Sequence, residues 1–422
     1  MTLPEIVITG AARTPVGKYL GALRDIPAAE LAALVLNAAA ERAGINPGRV
    51  DDVILGQSYQ NGENVNIARA ALLTADWPME IPGVTIDRRC LSGIEAVCMG
   101  ATKIQSGQGD IVVAGGVENM SRTEFYIPGE WIKWGLSGQV DSKWGLMPRG
   151  HGALAMWGLP FFDRIQRARV MSQPIKRFGE LNSMMSWAEA AAQAESITRE
   201  QADLWALGSH TRAIKAMKSG KFEREMIPVP IFPPKSDAQL LNQDETPRPD
   251  VTLAKLASLS AVYPDGICTA GNSSTENDGA AAVVLMTKEK SDILEIPYLG
   301  ELISFGTAAC DPRLTYPAVP AAVKKALSAA DLRLADMDLI EIQEAFAAQV
   351  LADVKLMGLA RDEIDEKVNV NGSGISLGHP IAATGTMRLI TLLHEMQRRQ
   401  ATYGLVAICG GGGQGIATVV KR

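Results

Sequence analysis

The sequence predicts an α/β fold built from two similar halves, with a segment inserted into the first. Three observations lead there. Short β-rich runs alternate with amphipathic helical patterns from the start of the chain. The alternation stops near residue 117 and resumes at "GAAAVVLMT", residues 279–287. From there the second half repeats the element order of the first.

In order, "EIVITGA" (5–11) reads as a strand. "AELAALVLNAAAERAG" places Leu31, Leu34, Val35, Ala38 and Ala39 on one helical face and stops at Gly44. "VDDVILGQ" (50–57), "GVTID" (83–87) and "DIVVAGG" (110–116) are further strands. This alternation predicts βαβ units and a mostly parallel, buried sheet. Residues 120–250 are broken by Pro and Gly and rich in helical pattern, and five of the seven tryptophans fall between Trp131 and Trp187 (Trp131, Trp134, Trp144, Trp157, Trp187). They read as the insertion. The first half is then 1–119 plus 251–292, and the second is 293–422. In the second half, "YLGELISFGTAA" is a strand, and "AVPAAVKKALSAA" is a helix with Val319, Val323, Ala326 and Ala330 in register. "DMDLIEIQEAF" is a strand entering a helix, and "KVNVNGSG" and "YGLVAICGGGGQGIATVVKR" supply the last strands.

Composition narrows the function. Of 422 residues, 47% are hydrophobic and 21% charged, and the net charge of −6 offers no footprint for nucleic acid. No apolar run approaches the roughly 20 residues that span a bilayer. "MTLPEIVITGAART" enters a strand at once, which predicts no signal or transit peptide. Five cysteines with no CxxC predict a reducing cytoplasm and thiol chemistry.

Only four histidines are available as an imidazole base: His151, His210, His379 and His394. His210 and His394 lie in helical patterns, and His151 lies in a Gly/Pro-bounded loop. His379 sits in "GISLGHPIAATG", a Gly-rich turn opening a helix. Cys90, in "DRRCLSGIEAV", falls at the expected first residue of a helix, where backbone N–H groups favour a thiolate and Arg88 and Arg89 add positive charge. An imidazole at His379 suits activation of such a nucleophile. Cys409 follows a strand and precedes Gly410 to Gly413, a run that lets backbone N–H groups approach a ligand. Gln343 and Glu344 end "LIEI", where polar side chains bind a water or an oxyanion, or cap the next helix. Asn272, Ser273, Ser274 and Asn277 crowd one loop, "TAGNSSTEN". Each feature alone also has an ordinary structural explanation.

Taken together, the helix-start Cys, "QEAF", "GHP" and "CGGGGQG" on two matching halves resemble the thiolase family over essentially the whole chain. "DETPRPDVTLAKLASL", "TAGNSSTENDGAAAV", "NGSGISLGHPIAATG" and "MSWAEAAAQAESITREQADLWALGSHTRA" carry the same resemblance. It implies a five-layered αβαβα core with an inserted loop domain that binds coenzyme A. Cys90 would be the acylated nucleophile, His379 its activating base and Cys409 the second acid/base. The N–H groups of Cys90 and Gly411 would form one oxyanion hole; His379 and a water held by Gln343 would form the other. Ser274, Met184, Tyr263, Phe346 and Lys235 would bind substrate or CoA, Ser274 along the pantetheine arm and Lys235 at the nucleotide phosphates. Coenzyme A is a substrate, with no bound cofactor and no metal. A homodimer or homotetramer is implied, and a partner enzyme of fatty-acid β-oxidation is possible.

The chain departs from the family at Gln343 (more often Asn or His), at Gly410 (more often a branched aliphatic) and at Ser183, where many short-chain members carry His. Residues 125–180 are long and Trp-rich, which suits a wide acyl pocket, an interface or a membrane-surface contact. The expectation is a thiolase cleaving 3-ketoacyl-CoA with CoA, degradative, on a bulky or longer acyl chain. Its rivals are a biosynthetic acetyl-CoA C-acetyltransferase, a ketoacyl synthase, against which Cys409 argues, and a non-catalytic scaffold subunit of the same fold.

Overall fold

The computed structural model describes residues 3–127, 161–179, 184–233 and 237–422. The chain divides into two compact units, Met1–Arg122 with Met184–Arg422, and Thr123–Ser183. In the smaller unit, Phe125–Tyr126 pairs with Phe162–Asp163, and Asp163 caps the helix Arg164–Val170.

The larger unit is built on nine strands: β1 (Ile6–Arg13), β2 (Asp52–Gly56), β3 (Gly83–Ile86), β4 (Ile111–Asn119), β5 (Asn277–Thr287), β6 (Gly300–Ala309), β7 (Leu339–Ile342), β8 (Tyr403–Gly410) and β9 (Gln414–Lys421). They join in the order β7-β8-β9-β6-β1-β5-β4-β2-β3, and Gly17–Lys18 adds a short tenth strand on β5. The halves meet where β1 pairs with β6, Ile6 opposite Leu302. β4 pairs directly with β5 although residues 120–276 separate them in sequence.

The mostly parallel sheet is not what forms. Pairing is parallel only near the two edges, β7 with β8 and β4 with β2 with β3; the pairs between are antiparallel. β8 and β9 form a hairpin, so no crossover separates them, and the long excursion after β4 returns its chain in the opposite direction. "KVNVNGSG" is not a strand. It makes one isolated bridge, Ile340 with Val368, because Asn369 turns the backbone to φ 47°.

Helices fill three layers around the two half-sheets. α1 (Ala28–Ala43) and α2 (Ile67–Thr74) cover the outer face of the first half, where Leu31, Val35, Ala39, Leu72 and Val113 pack together. Gly44 ends α1 in the left-handed conformation, as the sequence indicates. α3 (Ser92–Gln105) and α9 (Ile381–Arg399) lie between the half-sheets, with Ile94, Val97, Met387 and Leu392 against Val283 and Ile408. α6 (Ala318–Ala329) and α7 (Ala347–Met357) cover the second half through Val319, Val323, Ala326 and Val350. The result is five layers, αβαβα. Strand alternation sorts each side chain: on β8, Leu405 and Ala407 face the outer layer and Val406 and Ile408 the central one.

The remaining helices used below are α4 (Met185–Glu195), α5 (Arg199–Lys218) and α8 (Gly374–Leu377). α3 and α9 approach very closely at their first turns, since a Cβ on Gly93 would sit 2.4 Å from the Ala382 carbonyl oxygen. That approach places the residues just ahead of each helix side by side.

Candidate active site

Cys90 lies in the turn between β3 and α3. The helix begins two residues later than the sequence suggested, at Ser92, with Leu91 as its cap. The turn is fixed locally. Ser92 Oγ accepts from Arg88 N (2.8 Å) and donates to Arg89 O (2.6 Å), and Asp87 accepts from Arg89 N (2.7 Å). Arg89 itself is at φ 55°, an uncommon conformation for a residue with a side chain.

His379 sits in the corresponding place ahead of α9, followed by Pro380 and the first helical residue Ile381. Its backbone N–H donates to Asn277 Oδ1 (2.8 Å), and Asn277 in turn donates to Gly17 O (2.8 Å). Its Nε2 is 3.2 Å from Cys90 Sγ and its Nδ1 is 2.7 Å from Thr384 Oγ1. The Thr384 hydroxyl donates to Pro380 O (3.2 Å), so it accepts from Nδ1–H. That assignment leaves the Nε2 lone pair facing the thiol.

The thiol is not the pre-ionised group that a helix start implied. Part of Cys90 reaches the surface, but burial dominates its sulfur and pushes the thiol up to about 11. The Arg89 charge and N–H groups of Gly411 and of Cys90 itself pull the other way without winning. The same two N–H groups converge on the Cys90 sulfur. Cys409 ends β8 and is buried; burial and then the nearby Cys90 push its thiol well above the ordinary range. Burial thus opposes ionisation of both thiols.

Gly411–Gly413 form the β8–β9 hairpin turn, with Gly412 at φ 84° and Gly413 at φ 74°. Gly410 is not a loose joint. A Cβ there would lie 1.9 Å from Leu91 Cδ1, so Leu91, fully buried, fills the space that a side chain at 410 would take. The turn after Cys409 and the turn holding Cys90 thus interlock. Met184 Cε and Trp187 Cη2 reach within 3.9 and 3.6 Å of a Cβ placed on Gly411.

Gln343 follows β7, its N–H donating to Ala407 O (3.0 Å). The side chain is fully buried, and neither amide atom has a partner among the described residues. Ser274 N–H donates to Ala345 O (2.9 Å), which joins the "AGNSS" loop to "QEAF". Phe346 packs against a buried cluster of Ala188, Ala192, Cys268 and Ala348. Tyr263 opens a turn, Gly266 N–H to Tyr263 O (3.0 Å), tied to Cys268 through Val262. Lys235, Ser183, His151 and Trp131 to Trp157 lie outside the described residues. His210 and His394 are buried helix residues, each pushed down to about 4 chiefly by burial.

Two site neighbours escaped sequence reasoning. Thr384 orients His379, and Glu118 accepts from Ser58 N (3.0 Å), Tyr59 N (3.0 Å) and Ala382 N (3.2 Å). Burial pushes Glu118 up to about 7. Its one signal was a carboxylate closing the apolar strand "IVVAGGVEN".

Fold, duplicated halves and the cysteine–histidine pair at their seam define a class of acyl-transferring enzymes. The chain matches the thiolase N-terminal domain over residues 6–289 and the thiolase C-terminal domain over 296–422, and it belongs to the thiolase family. It is an acyltransferase with coenzyme A as substrate. It is 40% identical to an acetyl-CoA acetyltransferase of Cupriavidus necator over all of both chains, and 36% identical to a beta-ketoadipyl-CoA thiolase of Acinetobacter baylyi over 98% of each. Among solved structures, it resembles the Bacillus anthracis acetyl-CoA acetyltransferase (TM-score 0.88, 38% identity) and human mitochondrial 3-ketoacyl-CoA thiolase (TM-score 0.87, 31% identity), each over 99% of both chains. Among the described residues no helix is long and apolar enough to cross a membrane.

Proposed function

We propose that the protein cleaves a 3-ketoacyl-CoA with CoA through an acyl-Cys90 intermediate, in the degradative direction, on a chain bulkier than acetoacetyl. The observation that carries the chemistry is the 3.2 Å contact between His379 Nε2 and Cys90 Sγ. His379 takes the thiol proton as Cys90 Sγ attacks the 3-keto carbon. The Cys90 and Gly411 N–H groups stabilise the resulting oxyanion. The bond between C2 and C3 breaks, and Cys409 protonates the departing enolate to give acetyl-CoA. A second CoA thiol, deprotonated by Cys409, attacks the acyl-Cys90 thioester and regenerates the sulfur. Gln343 and His379 serve the oxyanion on the enolate thioester.

The bulky-chain reading rests on Ser183, Gln343 and the long Trp-rich stretch of the insertion 120–250, which we assign to CoA binding. A biosynthetic acetyl-CoA C-acetyltransferase is the second reading, favoured by the names of the Cupriavidus and Bacillus relatives. Thiolysis rates across 3-ketoacyl-CoA chain lengths separate the two: kcat/KM rising beyond the four-carbon substrate supports the first, and a sharp preference for acetoacetyl-CoA supports the second. We assign the protein to the cytoplasm, consistent with five free cysteines. We further propose a homodimer through β3, an open sheet edge with Val84 exposed.

A further inference from the structure

We infer that Gly374 is a positioning residue for the Gln343 amide, and through it for the second oxyanion site alone. The assignment rests on the thiolase reading above. A Cβ on Gly374 would lie 2.3 Å from Gln343 Nε2, 2.8 Å from its Cδ and 2.7 Å from Glu344 O. A real side chain has no such contacts, so the amide occupies the space that any residue but glycine would claim.

The backbone on both sides of the amide is held, so a side chain at 374 could be accommodated only by moving the amide. Glu344 is clamped by Trp205 Nε1 (3.1 Å), Ser209 Oγ (2.6 Å), Asn369 Nδ2 (3.0 Å) and Ile375 N (3.2 Å). The last bond draws the first turn of α8, and Gly374 with it, against residues 343–344. Asn369 Oδ1 also accepts from Ile342 N (2.8 Å), which fixes the strand end from the other side. Between these held segments lies an amide whose two buried atoms have no partner among the described residues. Leaving such a group unpaired in the interior is costly. That cost is recovered when substrate binds, if the amide hydrogen-bonds toward the thioester oxygen, directly or through one water. Gly374 gives the long glutamine side chain its room, and a methyl group there would drive the amide off its line.

The test separates partial reactions. Exchange of labelled CoA into acetyl-CoA needs Cys90 and the first oxyanion site. Deuterium exchange at the acetyl-CoA methyl group, and thiolysis of acetoacetyl-CoA, need the second. For Gly374→Ala we expect CoA exchange within about threefold of the parent, while the other two rates fall on the order of 10–100-fold. A parallel fall in all three rates, or no fall in any, overturns the assignment. If Gly374→Ala is too unstable to assay, its melting temperature is compared with that of Gln343→Ala/Gly374→Ala. Removing the amide should recover several degrees; no recovery means the contact is not the constraint. Absence of CoA exchange in the parent protein overturns the thiolase reading itself, which the other outcomes leave standing.

Discussion

His379 Nε2 lies 3.2 Å from Cys90 Sγ although 289 positions separate the two residues. Each sits two residues ahead of a helix, α3 or α9, and those helices pack in the central layer. The site is thus assembled at the seam of two similar halves, one carrying the sulfur and the other the imidazole.

The Thr384 hydroxyl determines which ring nitrogen holds the proton. Thr384→Val should lower kcat/KM for thiolysis about 10–100-fold, because Nδ1–H loses its acceptor and the tautomer facing Cys90 is no longer favoured. Thr384→Ser should stay within about threefold, since it keeps the hydroxyl. Equal activity of the valine and serine variants would show that the hydrogen bond does not matter.

A Cys90 thiol pushed up to about 11 carries little thiolate at neutral pH. Alkylation by iodoacetamide, followed at the Cys90 peptide, should keep accelerating from about pH 7 to about pH 10. A plateau below about pH 8 would mean that the helix end and Arg89 outweigh burial.

The Leu91–Gly410 interlock predicts a reciprocal pair. Gly410→Ala places a Cβ 1.9 Å from Leu91 Cδ1 and should cost about 1–3 kcal/mol. Leu91→Ala alone should cost about 2–5 kcal/mol through its cavity, and the double variant should lose less than the sum. Strict additivity in denaturant melts would exclude the interlock.

Stability should fall from about pH 6.5 to about pH 8.5. Burial raises Glu118 to about 7 and Glu341 to about 8 in the folded protein, above the ordinary 4.5. The unfolded chain releases those protons first, so their contribution is present at low pH and lost as pH rises through 7 and 8. His210 and His394, lowered from 6.5 to about 4, act in the opposite sense but only below 6.5. Melting temperature scanned across this window should decline, with a shallower slope in Glu341→Gln. A flat or rising profile would contradict the assignment.

Much of this was legible in the sequence. The α1 stripe ending at Gly44, most of the strands and the duplicated order follow from periodicity and from residue types at element ends, and the pairing of Cys90 with His379 follows from the resemblance to the thiolase family. What escaped depends on distant chain. The direction of the Cys90 shift is set by layers packed around the sulfur, which local helix reasoning does not see. "KVNVNG" has strand composition, yet Asn369 spends its side chain on Ile342 and Glu344 and bends the backbone instead. Glu118 has its meaning only once Ser58 and Ala382 arrive from separate elements. What fills the space at Gly410 is not visible locally, because Leu91 lies 319 positions earlier in the chain.

The most direct test of the account is peptide-level mass spectrometry after mixing the protein with acetyl-CoA and, separately, with a long-chain 3-ketoacyl-CoA and limiting CoA. The account predicts an acyl group on the Cys90 peptide that disappears when CoA is added, and that fails to form in His379→Ala on the same timescale. An acyl group on Cys409 or elsewhere, or none from either donor, would contradict it.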